Sequence, residues 1–482
     1  GVRVVTARDW FERTRRKVVP RAPGRYNDDT PPAVLRFKKH PLLLPVLEQF
    51  VRDQALQLEH ELARAVDPTP DGERVMQRLR ELAPRAPVKR VQALRGWLAD
   101  AGLSGVTTQV AQSTSARIGR RLRDVVSDWS ELLTDRALLE RAVARHAPGA
   151  FNGRELDAVC AWCSRQSDDA PRAPAARRRR DDPRERAEQA DNPYISLDGQ
   201  DERDVPVAGR LDRPDDSLLL RLFQLKHGDL HAPRGKPLVH EHLVADEAQD
   251  LSAIEIATLV QSTSRMRSVT LAGDVAQRLV FDNAFESWEL LLEQLGVEAA
   301  SNSTLQLGYR STEQIMELAR LLLREPDRDV GTWRPLRAGA AVELHRFADQ
   351  GEAVAMVASA LRSLAAREPM ASVACIARYP EQARRFAHAL ARAEVPGARL
   401  VMNQEFSFKP GVDVTDVGQV KGLEFDYVVL LDVTAATYPD TEESRNMLYV
   451  GATRAAHQLW LLSPGPPSPL LPEVLTDTDG AP

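Results

Sequence analysis

Leu238-Val-His-Glu-His-Leu-Val-Ala-Asp-Glu-Ala-Gln-Asp250 is the stretch that decides how this chain is read. Leu243-Val244-Ala245 is a short apolar run that ends abruptly in Asp246-Glu247-Ala248-Gln249-Asp250. A buried parallel strand reads this way, and its C-terminal edge is where α/β folds carry their chemistry. Two neighbouring carboxylates at a strand end can divide the work. One holds a hydrated Mg²⁺ while the next orients or deprotonates a water. The same two acids also suit an ordinary helix N-terminus, where they complement the helix dipole, and taken alone they favour that plainer reading.

The surrounding composition narrows the class. With 482 residues the length suggests about three domains of ordinary size. Hydrophobic residues make up 43% and charged residues 28%, enough for a sizeable core under a polar surface. No run approaches the ~20 apolar residues of a membrane span, so no membrane partner is expected. Residues 1–6 lack the layout of a signal peptide and read as a strand already under way, so the chain is expected to begin inside a domain. Cys160, Cys163 and Cys375 are too few and too odd for a disulfide framework and fit a reducing cytoplasm. Cys160-Ala-Trp-Cys163 has no second pair to complete a zinc site. A net charge of −5 gives no global attraction to nucleic acid, so such binding has to be local.

Periodicity divides the chain. Residues 2–6 read as a strand followed by a helix through Trp10 and Phe11, and 21–33 as loop. Residues 41–165 carry helical stripes such as Val75, Leu79 and Leu82, then Ile118, Leu122, Val125 and Trp129, with almost no strand signal. Residues 166–216, with Arg177-Arg178-Arg179-Arg180 among prolines and acids, read as a charged linker rather than a phosphate-binding arm. An amphipathic helix is predicted over 217–230, ended by Gly228. The strand before Asp246, a helix around Ile254 to Val260, and Ser268-Val-Thr-Leu-Ala-Gly-Asp274 then make a βαβ unit. From about 301 to 465 strands and helices alternate, with strands at 341–345, 372–377, 399–402, 412–417, 427–431 and 458–462; this predicts a second open α/β sheet. The tail, 466–482, is Pro-rich and expected to fray.

Four clusters stand beside Asp246-Glu247 at strand ends or helix starts. They are Gly273-Asp274 with Gln277, Tyr309-Arg310-Ser311, Gln419-Val-Lys421-Gly422-Leu423-Glu424-Phe425-Asp426, and Tyr449-Val-Gly451-Ala-Thr453-Arg454-Ala455. Each is weak singly. Their order and content together resemble the superfamily 1 helicases of the UvrD/Rep type, over residues 1–20 and 217–462. Asp-Glu-Ala-Gln-Asp, Lys-Gly-Leu-Glu-Phe-Asp and Tyr-Val-Gly-Ala-Thr-Arg-Ala are similar to that family's motifs II, V and VI almost letter for letter. Gly-Asp-x-x-Gln resembles motif III and Tyr-Arg-Ser-Thr motif IV.

The resemblance implies an α/β protein of two RecA-like P-loop-NTPase domains with parallel sheets and ATP between them. The first would comprise 1–40 and 217–300, interrupted by an all-helical insertion at 41–165 and the linker at 166–216; the second would comprise 301–465. By resemblance, Asp246 coordinates Mg²⁺ and Glu247 is the general base. Gln277 senses the γ-phosphate, and Asp274 and Gly422 border the nucleotide. Tyr309 stacks on adenine, Glu424 approaches the ribose side, and Arg310 and Arg454 act as arginine fingers. Phosphoryl transfer needs charge stabilisation more than covalent chemistry, which suits this cast. Thr6, Phe281, Phe285, Trp288 and Thr415 are the candidate contacts to single-stranded or duplex DNA, the aromatics by stacking on bases.

The chain departs from the family pattern in three places. No G-x-x-x-x-G-K-[ST] occurs; Gly235-Lys236 precedes Pro237 in a loop. The P-loop is therefore expected ahead of Gly1, and the chain alone is expected to turn over negligible ATP. Only about 100 residues separate Arg310 from Lys421, too few for the accessory insertion many relatives carry there. Gly418 stands where many relatives have a DNA-contacting His, and no aromatic-Arg-Gly follows Gln277. These departures resemble the branch of helicase IV and the HelD-type motors of bacterial RNA polymerase. A monomeric, cytoplasmic DNA motor is expected. A HelD-like factor that binds RNA polymerase and a scaffold without ATPase activity are the alternatives.

Overall fold

A computed structural model describes residues 2–27, 30–167, 209–233, 235–274, 287–295, 303, 307–308, 310–323, 334–335, 337–402 and 405–476. The chain divides into two compact units, Gly1–Gly273 with Asp282–Glu298 and Asp274–Phe281 with Ala299–Pro482.

The first unit is mostly helical. Its helices include Ala7–Val18, Pro32–Lys39, Leu43–Val66, Gly72–Glu81, Pro87–Asp100, Gly105–Leu122, Val125–Thr134, Arg136–His146 and Gly153–Ser167. Pro32 and Pro87 open their helices at first-turn positions, where the missing N–H has no intrahelical partner to lose. The stripes seen in the sequence meet: Val75, Leu79 and Leu82 pack with Leu62, Val66, Val91, Leu94, Leu98, Ile118 and Leu122 in one core.

The helix predicted at 217–230 spans Arg213–His227 and is not amphipathic: Ser217, Arg221, Gln224, Lys226 and His227 are buried alongside its leucines. Two of these polar side chains have partners that offset the cost of burial. Gln224 donates to the Thr258 carbonyl at 2.9 Å, and Lys226 pairs with Asp128. At its start lies a fully buried ionic network. Lys38 Nζ donates to Asp212 at 2.6 Å, to Asp215 at 2.9 Å and to Gln166 at 2.8 Å. The indoles of Trp129 and Trp162 donate to Asp215 and Asp212, each at 2.9 Å. Asp216 accepts from Arg15 at 2.7 Å and from Tyr26 at 2.6 Å. Burial alone would lower the Lys38 pKa, but the neighbouring carboxylates outweigh it and hold the ammonium above its ordinary range. The network joins Pro32–Lys39, Val125–Thr134 and Gly153–Ser167 to Arg213–His227, so the helical block is part of this unit's core.

Strands β1 (Arg25–Tyr26) and β2 (Arg210–Leu211) pair in parallel, as do β3 (His240–Ala245) and β4 (Thr263–Leu271). The strand expected at 2–6 does not form. Val2 and Val4 are 97% and 91% exposed, and Thr6 instead caps Ala7–Val18 by accepting from the Asp9 N–H at 3.1 Å. Apolar residues alone do not make a strand without a partner to pair with.

In the second unit β5 (Leu307–Gly308) pairs with β6 (Arg334–Pro335). Strands β7 (Glu343–Arg346), β8 (Ser372–Ala377), β9 (Ala398–Leu400), β10 (Gly411–Asp416), β11 (Phe425–Leu430) and β12 (Ala455–Ser463) form one sheet, ordered β7-β12-β11-β8-β10-β9. Every pairing in it is parallel. Parallel strands are covered on both faces, which explains the apolar stretches Val373–Ala377 in β8 and Val428–Leu430 in β11. Ile376, Val428, Leu430 and Leu459 join one core, with Ile315, Leu318 and Leu448 from helices Glu313–Leu322 and Glu442–Ala452. Cys375, Val414, Val429 and Leu431 join the other, with Val357, Leu361, Phe386 and Leu390 from helices Gln350–Arg367 and Pro380–Arg392. The protein is thus α/β with parallel sheets. No helix among the described residues is long and apolar enough to cross a membrane.

Candidate active site

In the first unit, β3 stops at Ala245 and the chain turns sharply. Glu247 takes a left-handed conformation, φ 53°, which a non-glycine residue adopts at some cost. Its N–H donates to Asp246 Oδ1 at 2.9 Å, and its carboxylate accepts from Gln249 Nε2 at 2.7 Å. The turn is pinned to the end of β4 by the Ala248 N–H, which donates to the Ala272 carbonyl at 2.9 Å. Ser252 and Glu255 then cap helix Ala253–Gln261 reciprocally. Gly273 is needed for packing: a Cβ there would lie 2.1 Å from Gln249 Oε1 and 3.1 Å from the Trp288 ring. The glycine of the Gly-Asp pair therefore lets Gln249 lie close to the β4 end while it holds Glu247.

Asp246 is exposed at this strand end. Magnesium keeps most of its waters and needs only one or two protein carboxylates, so an exposed Asp246 with Glu247 beside it fits a Mg²⁺-phosphate ligand. Among the described residues no group of three or more His, Cys, Asp or Glu is placed to hold a metal by itself.

The second unit gathers its candidates where β11 and β12 begin. Phe425 pairs with Ala455 there, and its N–H donates to the Arg454 carbonyl at 2.9 Å. Ser311 Oγ donates to the Ala455 carbonyl at 2.7 Å, which brings Arg310 to the same edge. Arg310 Nε lies 3.0 Å from Glu424 Oε2, both side chains 59% exposed. Arg454, by contrast, is buried. Its guanidinium donates to the carbonyls of Val450 at 3.0 Å and Leu423 at 3.1 Å, and to Thr453 Oγ1 at 3.1 Å. Gly422 adopts φ 76°, a turn just ahead of Leu423 and Glu424. The Tyr449 hydroxyl donates to Asp274 Oδ2 at 3.4 Å, and burial, then this carboxylate, push its pKa well above the ordinary phenol range.

The expected nucleic-acid contacts differ in exposure: Thr6 is exposed, Trp288 half-buried and Thr415 buried. Thr415 is fully buried and donates to the Val401 carbonyl at 2.9 Å, which ties β10 to the chain after β9; its side chain does not face a nucleic acid. Trp288 is half-buried beside Gly273, and Thr6 is a helix cap. Gln277, Phe281, Phe285 and Tyr309 lie outside the described residues. Two residues with a clear place here had no role assigned from sequence. One is Tyr449, visible only as a letter in a motif. The other is Arg337, whose guanidinium donates to the Arg310 carbonyl and, at 2.8 Å, to that of Ala456. An isolated arginine outside any motif carries no sequence signal.

Comparison with known proteins gives a class for this sheet edge. Residues 411–462, which span β10 to β12, match the UvrD-like helicase C-terminal domain. The chain is similar to the C-terminal domain of a possible DNA helicase from Lactobacillus plantarum WCFS1, at 25% identity over 35% of this chain and 96% of that one, with a TM-score of 0.29. It is also similar to the helicase of PRRSV, at 15% identity over 48% of this chain and 36% of that one, with a TM-score of 0.26. No curated protein matches. The weight rests on the matched segment, residues 411–462 of the second unit.

Proposed function

We propose that this chain belongs to an ATP-dependent superfamily 1 motor that couples nucleotide hydrolysis to movement on DNA. The observation that carries the reading is the convergence of Arg310, Glu424 and Arg454 on one sheet edge within and beside the helicase-matched segment 411–462. In this reading Asp246 holds Mg²⁺ and Glu247, fixed by Gln249, orients and deprotonates the attacking water. Gln277 and Asp274 sense the phosphate end, and Tyr309 and Glu424 hold the nucleoside. Arg310 and Arg454 stabilise charge on the transferring phosphoryl group. ATP and Mg²⁺ supply the phosphoryl group and its counter-charge; the chain supplies position. A G-x-x-x-x-G-K-[ST] cradle is not part of these 482 residues, so the chain alone is expected to hold nucleotide weakly.

The DNA arm of the reading is tested by fluorescence anisotropy with a labelled single-stranded oligonucleotide across a salt series. The expected result is binding that weakens steeply with salt. No binding even at about 50 mM salt would count against a motor on DNA and favour the reading as an RNA polymerase-binding factor. That alternative calls for surface substitutions on the helical block rather than its deletion, because the Lys38 network buries the block's residues in the core.

A further inference from the structure

The two arginines read as phosphate ligands are both held by consecutive residues. The Leu423 carbonyl accepts from Arg454, and the neighbouring Glu424 carboxylate pairs with Arg310. The two grips differ in kind. Arg454 is 3% exposed and bonded to backbone carbonyls, which are uncharged and fixed, one by helix Glu442–Ala452 and the other by the turn before β11. Arg310 is held in the open by a full negative charge on an exposed side chain. An incoming anion meets a carboxylate already neutralising Arg310.

Resting on the proposed function, we infer that Glu424 is an anion gate: it positions Arg310 and keeps it paired until a polyphosphate displaces the carboxylate. The geometry suits displacement. An ion pair exposed to water on both sides is weak, so a phosphate chain with several charges can replace it. Arginine also binds phosphate in the same forked way it binds carboxylate, so the guanidinium changes partner without becoming unpaired. The cation exposed by the exchange lies beside the turn at Gly422, whose positive φ sets Leu423 and Glu424 where they meet the two arginines. The gate has a consequence for selectivity. A monoanion gains little by replacing one carboxylate, whereas a polyphosphate gains additional charge contacts, so the pair discriminates against abundant small anions.

The test is titration of the 482-residue chain with sodium tripolyphosphate at constant ionic strength. The probe has no ribose or base, so any role of Glu424 towards the nucleoside does not enter. The variants are Glu424→Gln, Arg310→Ala, the double variant, and Glu405→Gln as a charge-matched control on an exposed glutamate. The gate predicts that Glu424→Gln binds about two- to fivefold more tightly, the strength of an exposed ion pair, and that Glu405→Gln does not. It also predicts that the gain disappears in the Arg310→Ala background. No gain in Glu424→Gln, an equal gain in Glu405→Gln, or a gain that survives Arg310→Ala would each overturn the gate. If Arg310→Ala weakens tripolyphosphate binding while Glu424→Gln leaves it unchanged, the gate fails and Arg310 stands as a phosphate ligand. If Arg310→Ala changes nothing, the site reading fails with it.

Discussion

The Tyr449 hydroxyl donates to Asp274 Oδ2 at 3.4 Å, so a residue of the Gly273-Asp274 pair is held by the last turn of helix Glu442–Ala452. Asp274 groups with the second unit although β4, three residues earlier, belongs to the first. The tyrosine is otherwise buried, so its oxygen has few alternatives. Tyr449→Phe is expected to lower stability by about 0.5–1.5 kcal/mol, the net worth of one hydrogen bond. Urea unfolding monitored by tyrosine and tryptophan fluorescence measures it, and a change below about 0.3 kcal/mol would mean that the bond contributes little.

Among the described residues, Lys38 is the only cation paired with the fully buried Asp212 and Asp215. Replacing it with Met keeps its volume and leaves two buried carboxylates facing each other. Removing one partner from a buried ion pair costs about 3–5 kcal/mol, against the few tenths expected at the exposed pair Arg78–Glu81. Far-UV circular dichroism of Lys38→Met during thermal melting should show early loss of the helical signal, whereas Arg78→Met should melt like the parent.

Acid should destabilise the first unit through His227, which is buried, and His40, which is half-buried. Burial, followed by the charges of His231, Lys226, Arg123 and Lys89, pushes His227 down to about 3 from an ordinary 6.5. Burial and then Arg36 push His40 down to about 4. The unfolded chain takes up these protons near pH 6.5 and the folded chain resists them. Stability is therefore full above about 6.5 and is lost as pH falls towards 4, by at most about 1.4 kcal/mol per pH unit per histidine. His227→Phe keeps the stack on Phe223, whose ring centroid is 3.9 Å away, and should flatten the dependence of melting temperature on pH between 6.5 and 4. An unchanged slope would show that His227 does not drive it.

Without a phosphate cradle, the chain alone should turn over ATP no faster than its Glu247→Gln variant. Phosphate release assayed with Mg-ATP, with and without single-stranded DNA, checks this. A measurable kcat that Glu247→Gln abolishes would show that the cradle is replaced by other residues.

Much of this was legible in sequence for a simple reason. The runs at 373–377 and 427–431 are apolar because both faces of a parallel sheet are buried, whereas 412–417 alternates valine with Asp and Thr; the structure has strands at Ser372–Ala377, Gly411–Asp416 and Phe425–Leu430. The helical stripes from Val75 to Leu122 survive for the same reason: a core-facing stripe repeats at the helical period. What the sequence hid depends on contacts distant along the chain. The helix Arg213–His227 looked amphipathic because Lys226 and Arg221 are charged, and only their distant partners Asp128 and Glu48 allow burial. Residues 2–6 looked like a strand because alternation says nothing about whether a neighbour exists to pair with. Thr415 looked like a surface contact, but its place on an inner strand turns its hydroxyl to Val401. Arg310 and Arg454 read alike as letters in motifs, yet one is exposed on a carboxylate and the other is buried against carbonyls.

The central claim is that Arg310 belongs to a nucleotide site. Equilibrium binding of Mg²⁺ and a fluorescent ATP analogue to the parent chain and to Arg310→Ala tests it most directly. Charge-assisted bonds to phosphate are worth about 1.5–3 kcal/mol, so binding should be saturable in the parent and about tenfold or more weaker in Arg310→Ala. Equal affinity in the two proteins, or no saturable binding in the parent, would contradict the account.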